Sequence, residues 1–306
     1  MMGPGIAGTL ALGGVRATIV SRTDQGAQKG LEAARRQLHL LEENGLAEPA
    51  QAARARESVG ATSEFDATIA RVDLVIESAP ENMEFKQNLF AHMDSIARPE
   101  AVLASNTSGL SITAIASRCR RPERVLTTHY WNPPHLMPLV EIVKGEKTSA
   151  EAVSDIRELL AFCGKVPVIV KKDRPGQLGN RLQMALVREA VNIVAEGLAD
   201  VEDVDLAAKS GRGLRLPLYG IFEHADVVTL DMGLSIVDYV SQDLYNELHG
   251  PELYKRKVAA GELGVKSGKG FYDWSQKSAD EVKARRDRFV LEFLRSEKAK
   301  ASGSGT

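Results

Sequence analysis

From residue 5 to about 170, short apolar runs alternate with longer stretches of helical periodicity. The runs Arg16–Val20, Leu74–Glu77, Ala101–Ser105, Val125–Tyr130, Leu139–Val143 and Val166–Val170 predict strands. Segments 23–45, 83–97 and 149–163 carry apolar positions at the 3.6-residue spacing and predict helices. Alternation of this kind argues for a doubly wound α/β domain with a mostly parallel sheet. After Asp173-Arg174-Pro175-Gly176 the texture changes. Leu178, Leu182, Leu186, Ala190 and Val194 step by four, predicting a long amphipathic helix over 177–197. Further helices are expected at 203–209 and 233–248, with no strand pattern among them. The expected division is an α/β domain over 1–172, an all-helical domain over 173–275, and a tail over 276–306 that is helical and then, from Lys298, disordered.

Composition narrows the function without choosing it. The 306 residues are 43% apolar and 26% charged with a net charge of −2. That balance gives no reason to expect nucleic acid or an anionic membrane as a partner. No apolar stretch reaches membrane-span length, and the start of the chain lacks a basic-then-apolar leader pattern. Cys119 and Cys163 are far apart, have no metal-ligand spacing, and read as packing residues in a reducing compartment. The expectation is a cytoplasmic protein with no metal site.

Four regions carry candidate chemistry. At the N-terminus, Gly3 and Gly5 open a helical pattern that leads to a strand ending at Ser21-Arg22. This reads either as a plain helix start or as the back half of a Rossmann-type dinucleotide fingerprint, whose glycines admit a pyrophosphate to a helix N-terminus. On the second reading the first strand of the sheet is truncated, and the remaining fingerprint is expected upstream of Met1. An acidic residue ordinarily meets the ribose 2′-hydroxyl at the end of the second strand. Ser21 and Arg22 stand there instead, a pair that would accept a 2′-phosphate, so NADP is admitted beside NAD.

The second region comprises the strand ends V-I-E-S-A-P-E-N-M-E-F-K (75–86) and V-L-A-S-N-T-S-G-L (102–110). Ligands bind at such carboxyl ends in open α/β sheets, although Asn106, Thr107 and Ser108 would serve equally as helix caps. The third is H-Y-W-N-P-P-H-L-M-P-L-V-E, from His129 to Glu141. If the flanking runs are neighbouring strands, imidazole and carboxylate meet at one sheet edge and form a proton-transfer dyad; a lone structural histidine is the plainer alternative. Asn180 lies at the start of the long helix, where a local cap is the ordinary role.

Together these segments resemble the 3-hydroxyacyl-CoA dehydrogenase family. The matches are M-G-P-G-I-A (2–7), P-E-N-x-x-x-K (80–86), S-N-T-S (105–108), H-Y-W-N-P (129–133), L-V-E-I-V (139–143), N-R-L (180–182) and G-V-K-S-G-K-G-F-Y-D-W (264–274). The resemblance implies a dinucleotide-binding domain followed by a helical domain that forms a homodimer. It also implies NAD(P)-dependent oxidation of a short-chain substrate such as 3-hydroxybutyryl-CoA, within fatty acid metabolism. His129 is implied as acid/base with Glu141 as its partner. Ser108 and Asn180 would bond the substrate oxygen or the histidine. Glu81, Lys86, Ser108 and Asn132 would line the nicotinamide-ribose side of the cofactor.

Departures from the family pattern bear on the substrate. Acyl-CoA members commonly read N-P-V-P-V-M-K-L-V-E, whereas this chain has N-P-P-H-L-M-P-L-V-E, with Pro138 for the lysine. Gln177 replaces an aromatic residue in P-G-F, and Gly220-Ile221-Phe222-Glu223 replaces G-P-F-E. His135 adds a titratable group near the site, with a surface or supporting position as the alternative. The N-P-P spelling is similar to relatives acting on small polar hydroxy compounds, among them L-gulonate dehydrogenase (with lambda-crystallin), carnitine dehydrogenase and a pyridine side-chain dehydrogenase of vitamin B6 breakdown. A non-catalytic, crystallin-like protein is the remaining alternative.

Overall fold

The computed structural model describes residues 2–303, which fall into two compact units. The first comprises residues up to Asn180 together with Ala284 onward; the second is Arg181–Lys283. In the first unit the chain runs α1 (Gly3–Leu12), β1 (Ala17–Val20), α2 (Asp24–Glu43), α3 (Pro49–Ser58), β2 (Val59–Thr62), α4 (Phe65–Ile69), β3 (Leu74–Glu77) and α5 (Met83–Ile96). It continues through β4 (Val102–Ser105), α6 (Ile112–Ile115), β5 (Val125–Tyr130), β6 (Leu139–Lys144), α7 (Ala150–Phe162) and β7 (Val166–Val170). The strands form a parallel pair β1–β2 and a five-stranded sheet in the order β3-β4-β5-β6-β7.

All pairings are parallel except β5–β6. Length explains the exception. Only residues 131–138 join these two strands, three of them proline, and a parallel return needs a crossover of a dozen residues or more. The chain must therefore reverse, and the reversal sets His129 directly opposite Glu141.

Alternation along the strands builds a core on each face of the sheet. Val102, Ala104, Leu126, Tyr130, Val140 and Ile142 pack with Ile6 and Leu10 of α1 and Ile156 and Leu160 of α7. Leu103 and Val125 point the other way, against Phe90 and Met93 of α5 and Ile112 and Ile115 of α6. All six residues of β5 are buried, as expected of a strand covered on both faces.

The second unit is helical. α8 (Gly179–Ala195) leads into it, followed by α9 (Val201–Ala208), α10 (Ile221–Val228), α11 (Leu230–Val240) and α12 (Glu252–Ala259). Isolated bridges from Lys269 to Gly264 and Asp273 fold the G-V-K-S-G-K-G-F-Y-D segment on itself. The helix expected over 233–248 is found at 230–240 instead. Past it the Tyr245 N–H donates to the Glu189 carboxylate, and the Tyr245 carbonyl accepts from Arg188, bonds that hold this stretch out of helix.

The expected tail also differs. α13 (Ala279–Gly303) runs as helix through 298–303, where the sequence predicts disorder from Lys298; residues 304–306 lie outside the described residues. From Ala284 this helix belongs to the first unit. Leu291 is buried there with Leu41, Ala47, Ala52 and Leu136, and Arg295 donates to the carbonyl and side-chain oxygens of Asn44.

Candidate active site

The end of β5 and the start of β6 converge on one carboxylate. Residues directly opposite in an antiparallel pair project to the same face, so His129 and Glu141 meet side chain to side chain. His129 Nδ1 lies 2.7 Å from Glu141 Oε2. Trp131, two residues beyond His129 and thus on the same side, donates its Nε1–H to that oxygen at 3.0 Å. Glu141 Oε1 accepts the backbone N–H groups of Leu178 and Gly179, at 2.8 and 2.9 Å, where α8 begins.

Glu141 is fully buried. Burial by itself would raise its carboxyl. The hydrogen bonds from His129, Gly179, Trp131 and Leu178 outweigh that and hold it down at about 2. An ionised carboxylate only accepts, so Nδ1 of His129 carries the proton in this contact. The proton-accepting lone pair of a neutral imidazole is then on Nε2.

Loops at the ends of β3 and β4 frame this centre. The Asn106 side-chain oxygen accepts the Tyr130 N–H at 2.8 Å, tying the S-N-T-S turn to the residue after His129. Glu81 accepts from the Thr107 hydroxyl and, at 2.6 Å, from the Ser108 N–H. Asn180 donates its side-chain N–H to the Ser108 carbonyl at 2.9 Å. Ser108 and Asn180 are thereby neighbours, joined through the backbone of Ser108, and neither is hydrogen-bonded to the imidazole. Gln177 is buried at φ 53° and donates to the Thr107 carbonyl at 2.9 Å. Asn132 is exposed just past Trp131.

Lys86 is one of the residues expected on the nicotinamide-ribose side of the cofactor. It is buried, with its ammonium 2.7 and 2.9 Å from the two oxygens of Glu77, 3.2 Å from the Ala79 carbonyl and 3.8 Å from Glu81. The three close contacts use all three of its protons. The Ser105 hydroxyl completes the cluster on Glu77 at 2.6 Å. Glu77 was missed in the sequence, where it reads as the polar end of a strand; its only signal is a Lys on the first turn of the following helix.

His135 stands apart from the dyad. Burial and the nearby Lys165 ammonium push its imidazole down to about 4. Lys165 itself is buried and donates to the carbonyls of Pro134 and Met137 at 2.6 and 2.9 Å, pinning the N-P-P turn; burial lowers its amine to about 8. Cys119 and Cys163 are unpaired, half-buried thiols, both pushed up by burial.

The residues expected at the pyrophosphate and adenosine side of the cofactor stand at the start of α1 and just past β1. Met2, at the N-cap position of α1, makes no side-chain cap hydrogen bond, and Pro4 has no N–H, so the backbone donors of the first turn are those of Gly3 and Gly5. A Cβ on Gly3 would meet nothing within 4 Å, whereas one on Gly5 would come within 2.6 Å of Pro134 Cγ. Gly3 therefore leaves the helix start open, and Gly5 lets α1 approach the N-P-P turn. Ser21 is half-buried at the end of β1, and Arg22 is exposed beside it. Donor amides, a hydroxyl and a guanidinium form a set that fits a dinucleotide.

Comparison with known proteins identifies the family. Residues 1–174 match the family described as 3-hydroxyacyl-CoA dehydrogenase, NAD binding domain, and residues 176–274 match 3-hydroxyacyl-CoA dehydrogenase, C-terminal domain. The chain is 34% identical over 298 residues to a 5-formyl-3-hydroxy-2-methylpyridine 4-carboxylate 5-dehydrogenase of Mesorhizobium japonicum, covering 96% of this chain and 94% of that one. It is 36% identical over 279 residues to a probable 3-hydroxybutyryl-CoA dehydrogenase of Bacillus subtilis, covering 91% and 96%. Among solved structures, one of 5-formyl-3-hydroxy-2-methylpyridine 4-carboxylic acid 5-dehydrogenase, described as an NAD+-dependent dismutase, superposes with a TM-score of 0.89 at 32% identity, covering 96% and 94%. The fold is the dinucleotide-binding sheet with a helical C-terminal domain, the cofactor is NAD, and the chain belongs to the 3-hydroxyacyl-CoA dehydrogenase family of oxidoreductases acting on CH–OH groups.

Proposed function

We propose that this dehydrogenase moves the substrate's proton through His129, with Glu141 as its partner. The carrying observation is the 2.7 Å contact between Nδ1 and a buried carboxylate that four donors keep ionised. With Nδ1 committed to Glu141, Nε2 takes the hydroxyl proton in the oxidative direction and returns it in the reductive one. NAD, when bound, supplies the hydride acceptor. Glu141 stabilises the imidazolium formed during the step. Ser108 and Asn180, already joined, would supply dipoles to the reacting oxygen. Gly3, Gly5, Ser21 and Arg22 would meet the pyrophosphate and adenosine side, with NADP accepted through the last two. Glu81, Ser108 and Asn132 would meet the nicotinamide ribose, with Lys86 supporting that surface from beneath.

For the substrate, we favour a small polar hydroxy compound or its aldehyde, free of CoA. Near full-length likeness to a pyridine carboxylate dehydrogenase supports this, as does the buried amide of Gln177 where acyl-CoA members carry an aromatic ring. A short-chain 3-hydroxyacyl-CoA such as 3-hydroxybutyryl-CoA is the second reading, favoured by the 36% identity to the Bacillus relative. A panel of free hydroxy acids, pyridine carbinols and CoA thioesters, followed by NADH absorbance, separates them. Turnover confined to thioesters overturns the first reading; turnover of CoA-free compounds alone overturns the second.

A homodimer formed through the helical unit is part of the proposal. In α10 and α11 no side chain is fully buried, and Phe222, Val227 and Tyr239 are 84%, 80% and 81% exposed, a surface that calls for a partner. A cytoplasmic setting is proposed from the two unpaired thiols. Among the described residues, no helix is long and apolar enough to cross a membrane.

A further inference from the structure

The two oxygens of Glu141 are used differently. Oε1 is occupied by two backbone amides, whose positions are set by the start of α8. Oε2 is divided between two ring N–H groups, His129 Nδ1 and Trp131 Nε1, whose ring centroids stand 6.1 Å apart at a 51° tilt. The indole reaches this oxygen through a tight fit. A Cβ on residue 179 would lie 2.3 Å from Trp131 Cζ2, so only glycine there lets the ring edge lie against the same turn that supplies the Oε1 donors.

We propose that Trp131 is a positioning residue for the dyad: its N–H withdraws part of the Oε2 charge from His129 and so sets how strongly Glu141 favours the imidazolium. This rests on the reading of His129 as the acid/base. A carboxylate oxygen shared by two donors gives each a weaker bond than it would give one. Without the indole N–H, the full charge of Oε2 falls on the imidazole. Five charged groups on the neighbouring elements have partners of their own. Glu77 and Lys86 hold each other, Glu81 holds Thr107 and Ser108, Asp173 holds Ser111 and Thr113, and Lys165 holds the Pro134 and Met137 carbonyls. Glu141 is the charge bonded to the imidazole, and Trp131 is the side chain that competes for its oxygen.

Two replacements test this: Trp131→Phe, and substitution of the indole by its benzothiophene isostere, which keeps the shape and removes only the N–H. The readout is titration of the His129 ring nitrogens by NMR in the free enzyme, so it needs no substrate. Both replacements are expected to move the imidazole midpoint upward by roughly half to one pH unit, with NAD affinity changed less than about two-fold. The acid limb of kcat/KM for oxidation should move with it. An unmoved midpoint in the isostere overturns the proposal and leaves the indole a packing group. Should Trp131→Phe fail to fold, the isostere decides alone. Undiminished turnover in His129→Gln would instead overturn the acid/base reading, a result the free-enzyme titration cannot mimic.

Discussion

His129 and Glu141 are opposite partners on the one antiparallel ladder of the main sheet, with Nδ1 2.7 Å from Oε2. Their distance is therefore fixed by strand register rather than by flexible loops. Glu141→Gln keeps the shape but removes the charge and supplies a neutral amide. Turnover should fall by about 10²–10⁴-fold, since an imidazole held by a neutral partner loses both its fixed tautomer and its stabilised cation. Steady-state kinetics at saturating NAD measures it, and a loss below ten-fold would be at odds with the dyad.

Stability should carry the same signature against pH. The Glu141 carboxyl lies at about 2 in the folded chain against an ordinary 4.5, so its contribution is fully present above 4.5 and is lost as pH falls from there toward 2. The shift corresponds to a contribution on the order of 3 kcal/mol. Urea unfolding of wild type and Glu141→Gln should show a stability gap that closes across that window. A gap constant from pH 6 to 3 would mean that the carboxylate is not held as described.

Gly179 tests the packing of the centre. Adding a methyl group there forces it against Trp131 Cζ2 or moves the N–H donors of α8. Gly179→Ala should cost about 1–3 kcal/mol of stability, and turnover should fall with it. Unfolding curves and kcat on the same preparation give both values.

Much of this arrangement is legible in the sequence, for identifiable reasons. Val125–Tyr130 and Leu139–Val143 are apolar runs separated by a short segment holding three prolines, and that short connection dictates the reversal that pairs His129 with Glu141. Trp131 was not legible, because H-Y-W-N reads as a strand end and only register shows that residues 129 and 131 reach one oxygen. β2 was missed since Val-Gly-Ala-Thr has no apolar alternation, and its partner is β1, some forty residues earlier. The G-V-K-S-G-K-G segment matched the family while giving no hint of its fold, which rests on backbone bridges rather than side-chain pattern.

The buried Glu77–Lys86 pair separates structure from cofactor binding. Lys86→Met leaves Glu77 buried without its counter-charge and should cost about 3–5 kcal/mol, whereas Glu77→Gln combined with Lys86→Met should recover much of it. Chemical denaturation of the single and double variants checks this, with NAD titration by calorimetry alongside. Recovered stability with lost NAD affinity would assign the pair to the cofactor surface.

At the other end of the site, Arg22→Ala should weaken NADP more than NAD, because the guanidinium is the group suited to a 2′-phosphate. Calorimetric titration of both dinucleotides decides it. A strong preference of the unaltered chain for NAD would remove Arg22 from that role.

Proton transfer through His129 is tested most directly by the turnover of His129→Gln beside its affinity for NAD. A fall of about 10²–10⁴-fold in kcat on the best substrate of the panel is expected, with NAD affinity and folding preserved. Near-normal turnover in the variant would contradict it, because the proton would then leave the substrate by another route.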